Sequence, residues 1–257
     1  MLAGIDSAQA LTPAMLTGAA TALRQPVNVR TTYLDAFGGG KAEVALAHAH
    51  GAAVLLCANS TSPAMVQGTL EDGVRYGEAQ ALLARSLGAP RGTLLAFDIE
   101  ASWQPQEAWI GGVATGIVEA GYTPCAYCSL RAPATTNALL AAHLHWLAVR
   151  EHLGLWAATP CLRSGGAWPG GLPSGSPDSL PGYVTWGWQF AENIALPNGG
   201  TVDLDLWQDA TPGLWRPPAA TTSSAVSKPP APDLSAVAAS LAQAQTAIVA
   251  AQGALRA

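Results

Sequence analysis

Along the chain, apolar runs that match a strand alternate with stretches that match a helix. The clearest run is Leu94, Leu95, Ala96 and Phe97, apolar on both faces, as in a strand covered by helices. It ends in Asp98 and Glu100, which strand alternation directs to one face. Similar strand patterns cover 3–6, 27–33, 52–58, 122–128, 155–158, 183–190 and 202–207. Helices are expected over 14–23, after the Thr12-Pro13 start signal, and over 41–50, 67–87, 105–120 and 134–153. Gly51, Gly88, Gly121 and Gly154 stop the last four of these. Residues 165–182 are rich in Gly, Pro and Ser and read as a loop. Strand–helix alternation through six units predicts an α/β fold, an irregular (β/α) TIM-like parallel barrel whose helices are missing in the last units. An open doubly wound sheet is the alternative, but no Gly-rich phosphate turn follows the first strand. In a closed barrel the first and last strands are neighbours. Asp6, Asp98, Glu100, Asp203 and Asp205 would then share the face where strand C-termini converge.

Composition narrows the function. Charged residues make up 11% of the 257 and the net charge is −5, with no run of Lys or Arg, so nucleic acid is not an expected partner. No segment reads as a membrane span, and the start lacks the charged and apolar regions of a signal peptide. Cys125-x-x-Cys128 has no second pair at zinc spacing, and positions three apart on a strand face opposite sides, so core cysteine is the reading. The five histidines, His48, His50, His143, His145 and His152, fall in expected helices away from strand ends. That argues against metal-dependent deacetylase or phosphodiesterase chemistry, and no metal or cofactor is expected. Paired carboxylates suit acid/base work on a glycosidic bond, although each alone could cap a helix or pair with an Arg. Nine tryptophans against three phenylalanines also suit a sugar site, with Trp103, Trp156 and Trp188 near strand ends.

Three segments follow from the pattern: a barrel over 1–216, a Pro/Ser/Thr/Ala linker over 217–232, and an amphipathic helix over 233–257. In the last, Leu234, Val237, Leu241, Ala244, Ile248, Ala251 and Leu255 repeat at coiled-coil spacing, for oligomerisation or docking.

The ordered motifs Gly4-Ile5-Asp6, Phe97-Asp98-Ile99-Glu100, Gly121-Tyr122, Tyr127-Cys128-Ser129, Leu155-Trp156-Ala157, Trp188-Gln189 and Val202-Asp203-Leu204-Asp205 resemble glycoside hydrolase family 25, the Chalaropsis-type lysozymes. Tyr76-Gly77-Glu78-Ala79 through Leu87-Gly88-Ala89-Pro90 is more similar to the related glycoside-hydrolase-like barrel domains. The resemblance implies Glu100 as general acid, Asp98 as the second acid, and Asp6 and Asp203 as supporting carboxylates. Asp205, Tyr33, Tyr127, Trp156, Trp188, Gln189 and Trp103 are the candidate substrate contacts. Asp205 stands where the lysozymes usually have Asn, and the Ser7-Ala8-Gln9 segment is shorter than theirs. The expected function is cleavage of a β-1,4 bond in bacterial cell-wall glycan, as a phage endolysin or virion-attached lysin. The rival expectation is an inactive glycan-binding or structural virion module.

Overall fold

The computed structural model describes residues 1–34, 40–162 and 168–218. The helix expected over 233–257 and nearly all of the linker before it lie outside the described residues. A compact unit, Met1–Pro217, holds every element described below.

Eight strands close into a barrel in chain order: β1 (Leu2–Asp6), β2 (Val29–Tyr33), β3 (Ala53–Ala58), β4 (Leu94–Ile99), β5 (Thr123–Cys128), β6 (Gly154–Leu162), β7 (Thr185–Ala195) and β8 (Thr201–Trp207). The helices are α1 (Pro13–Leu23), α2 (Gly40–Ala49), α3 (Leu70–Leu87), α4 (Glu107–Glu119), α5 (Pro133–His145) and α6 (Leu147–His152). Consecutive strands from β1 to β7 pair in parallel.

The all-parallel expectation fails at β8, which runs antiparallel to both β7 and β1. Only a tight turn joins β7 to β8, with Leu196 and Gly200 bonded across it. A connection that short cannot carry the crossover a parallel pair needs, so the chain must double back.

Several boundaries also differ, and β6 runs to Leu162 where the expected strand ends at 158. The expected helix 134–153 breaks at Trp146, whose backbone is extended. The Trp146 indole lies against Gly111 of α4, where even a Cβ would come within 2.5 Å of the ring. The expected helix 67–87 starts at Leu70, where Thr69 and Asp72 cap each other's backbone N–H, and a 3-10 turn (Met65–Gln67) precedes it. β7 continues past Phe190 through bulges, with Asn193 in the left-handed region at φ 54°.

Alternation along β4 sorts its residues as expected. Leu94 and Ala96 join Val29, Leu55, Cys125, Trp156 and Trp207 inside the barrel, while Leu95, Phe97 and Ile99 pack outward under the helices. Cys125 and Cys128 face opposite sides in the same way. Cys57 is also buried, and Cys161 is exposed. Trp207 fills the end of the barrel opposite the acids. Gly4 and Gly187 leave it room, since a Cβ at either would lie within 2.9 Å of its ring. The segment after β8 closes that end, with Leu94 N–H donating to Gly213 and Trp215 bonded to Val54 in both directions.

Outside the barrel, α3 and α4 meet on a seam of small residues. A Cβ on Gly77 would come within 2.6 Å of the Val113 carbonyl, and one on Gly116 within 2.5 Å of the Val74 carbonyl. On the outer face of β2, Arg30 is 1% exposed and paired with Glu43 of α2 at 2.8 Å. Arg30 also donates to the Ser7 and Gln9 carbonyls, which ties down the loop after β1.

Candidate active site

Parallel strands deliver their C-terminal residues to one rim, and the reversed β8 delivers its N-terminal half there. Asp6 and Asp203 stand opposite each other across the β1–β8 pairing. Asp6, Asp98, Glu100, Asp203, Tyr33, Tyr127, Trp156, Gln189 and Trp103 line a single cleft of about 340 Å³.

Two candidates lie elsewhere. Trp188 is 2% exposed, packs on Phe190 outside the barrel and donates from Nε1 to the Thr159 carbonyl. Gln189 occupies the inward position, so its chain neighbour must face out. Asp205 is fully buried beneath the cleft floor and does not line it. Trp156 is floor as well: it is 1% exposed, and its N–H is committed to Asp205 Oδ1 at 3.0 Å.

A hydrogen-bonded network holds the floor in place. Tyr33 donates to Asp6 Oδ1 at 2.6 Å, and Gln189 Nε2 donates to Asp6 Oδ2 at 3.1 Å and to Asp203 Oδ2 at 3.2 Å. Tyr127 donates to Gln189 Oε1 at 2.9 Å, which fixes which way that amide points. Asp203 Oδ1 accepts the Asn193 backbone N–H at 2.6 Å. Glu100 stands exposed at the mouth, one residue past β4.

The acids do not share one protonation behaviour. Burial, then the charges of Glu100 and Asp6, pushes Asp98 up to about 8. Burial, then Asp6, pushes Asp203 up to about 8 against the opposing Asn193 hydrogen bond. Glu100 is raised above the usual carboxylate value by partial desolvation and then by Glu192. The repulsion between the paired carboxylates falls on Asp98, which the Glu100 charge pushes up. Burial keeps the Tyr33 and Tyr127 hydroxyls protonated, as donors.

Several contributors were not singled out from sequence. Asn59 and Thr61 line the cleft, and Thr61 donates to the Asp98 carbonyl at 2.9 Å. Their signal was present, because the polar run 59–61 ends an apolar strand on the converging face. Cys57 and Ala8 also line it. Half-buried Glu192 lies beyond the point where apolar alternation ends in β7, so periodicity alone hides it. Among the described residues, no histidine lines the cleft and no group of three His, Cys, Asp or Glu side chains is arranged to hold a metal ion. None of the described helices is long and apolar enough to cross a membrane.

No family model and no curated protein sequence matches the chain. Solved structures do. An uncharacterized B. stearothermophilus protein superposes with a TM-score of 0.72 at 23% identity, covering 81% of this chain and 97% of that one. The Tat-secreted protein Rv2525c of Mycobacterium tuberculosis, in complex with L-tartrate, gives 0.55 at 14% identity over 81% and 96%. The modular autolysin LytC from Streptococcus pneumoniae, in complex with a synthetic peptidoglycan ligand, gives 0.50 at 12% identity, covering 80% of this chain and 46% of LytC. The fold is that of the family 25 lysozyme-like barrels. Such a barrel can host many chemistries, so activity must be argued from the cleft.

Proposed function

We propose that the cleft hydrolyses a β-1,4 glycosidic bond in bacterial cell-wall glycan. The observation that carries this reading is the meeting of Glu100, Asp98, Asp6 and Asp203 in one cleft with Glu100 at its mouth. The fold shared with LytC, whose structure holds a peptidoglycan ligand, supports the choice of polymer.

Glu100 is the general acid. Its raised pKa keeps a proton available for the leaving oxygen, while its exposed position lets it reach a polymer lying across the mouth. Asp203 is held by Asn193 and Gln189 as a fixed group under the developing positive charge or beside the attacking water. Asp98 Oδ1 is buried and receives no donor among the described residues, which suits a carboxyl that holds a proton until substrate reorganises the site. Trp103, half-buried on the wall, is the aromatic face best placed to meet a sugar ring.

Mass spectrometry of fragments released from purified sacculi tests the reaction. Wild type yields new reducing ends whose sugar names the bond. Glu100→Gln lowers release by about 10²–10⁴-fold, the share general acid catalysis supplies. Release by Glu100→Gln at the wild-type rate would remove Glu100 from the mechanism.

We further propose that residues 233–257 join copies of the chain or dock it on a virion, as in a phage lysin. Their 3–4 apolar spacing supports this. Light scattering on the full chain gives an oligomeric mass if copies join. A monomeric mass would remove the oligomer reading.

A further inference from the structure

We propose that Asn193 is a positioning residue for Asp203: held left-handed at a bulge in β7, it turns its backbone N–H out of the strand ladder and onto the Asp203 carboxyl.

The strand register leads there. Ala191 of β7 stands opposite Leu204 of β8, and Ile194 stands opposite Val202. Two residues of β7, Glu192 and Asn193, therefore face the single residue Asp203. Another shift lies just before it, where Gln189 opposes Asp205 but Ala191 already opposes Leu204. An extra residue bends its strand and frees groups that regular pairing would use. Here the bend falls beside the carboxyls of the cleft.

The freed group is the Asn193 N–H. It donates to Asp203 Oδ1 at 2.6 Å, while Gln189 Nε2 donates to Oδ2 at 3.2 Å. Each carboxyl oxygen thus has a donor on β7, and the two donors fix the plane of the group. The backbone of Asn193 makes this possible, at φ 54°. Among the described residues, the other non-glycine residue with positive φ is Arg24, which closes α1 as a left-handed cap. Asn193 closes no helix, so its conformation answers to the bulge. Asn enters this region more readily than most side chains, and a β-branched residue hardly at all. The Asn193 side chain is exposed, so what the residue brings to the cleft is its backbone.

Replacements at this exposed position separate the backbone from the side chain. Gly adopts the left-handed conformation freely and keeps the N–H in place. Val resists it and turns the N–H away.

Carbon-13 NMR of labelled full-length protein follows the Asp203 carboxyl, assigned by its loss in Asp203→Asn. The Asn193 hydrogen bond favours the charged carboxylate. Its loss in Asn193→Val therefore raises the titration midpoint of Asp203, while Asn193→Gly leaves the midpoint where wild type has it. Asn193→Ala gives a smaller rise in the same direction, and serves where Val disturbs the strand. The titratable neighbours of Asp203 are Asp6, Tyr33, Glu100, Tyr127, Glu192 and Asp205. All are the same in every variant, so the difference reports the N–H. An unmoved midpoint in Asn193→Val and Asn193→Ala, or an equal rise in Asn193→Gly, would overturn the proposal. The consequence for rate rests on the hydrolase reading and is measured separately. Asn193→Val lowers release from sacculi on the order of a hundredfold, as a small displacement of a catalytic group does, and Asn193→Gly restores most of it. Equal loss in both variants, with both still folded by circular dichroism, would overturn the positioning role. Wild type releasing nothing would count against the hydrolase reading alone, since the titration still decides whether Asn193 holds Asp203.

Discussion

Burial dominates the chemistry of single residues here. Asp98 and Asp203 each have an ordinary value of 3.8 that rises to about 8 in the barrel. Between those values the unfolded chain has released protons that the folded chain retains. Stability contributed by these groups therefore falls as pH climbs from 3.8 through about 8 and levels off above. Thermal melts across that window should show a declining Tm, and Asp203→Asn should flatten the decline. A wild-type Tm that rises over the window would contradict the buried, protonated carboxyls. Much of this was legible from residue identities, since alternation alone put Asp98 and Glu100 on one face. The size of the burial effect was not, because a sequence does not say that Glu100 stands exposed while Asp98 sits one layer deeper. Nor did the nearness of Trp188 to a strand end reveal its direction. The inward Gln189 beside it excludes Trp188 from the cleft.

Among elements, the strand–helix rhythm carried the fold well wherever local periodicity sets structure. All eight expected strands are present, and the late units lack helices among the described residues. What local pattern could not supply was long-range. The return of β8 follows from the short turn after β7, and the break at Trp146 follows from contact with Gly111. The α3–α4 seam is another long-range feature, because glycines at 73, 77, 112 and 116 look permissive in isolation. In the fold they let two helices approach backbone to backbone. Gly77→Ala should cost about 1–3 kcal/mol, as overpacking does, read as a lower urea midpoint at unchanged slope. No change in midpoint would show that the helices can separate without loss.

At the scale of the whole molecule, the barrel has two unlike ends. One is closed by Trp207, Leu214 and the backbone bonds of the segment after β8, and the other is open and lined with carboxyls. The open end gathers side chains from all eight strands, so the site exists only once the barrel closes. The central claim is that a glycan chain lies across this rim with its scissile oxygen at Glu100. A crystal structure of the Glu100→Gln protein bound to a peptidoglycan tetrasaccharide tests it most directly. Sugar rings should lie over Trp103, with the bridging oxygen within hydrogen-bond reach of the residue 100 amide. A tetrasaccharide bound on another surface, with the cleft left to solvent, would contradict it.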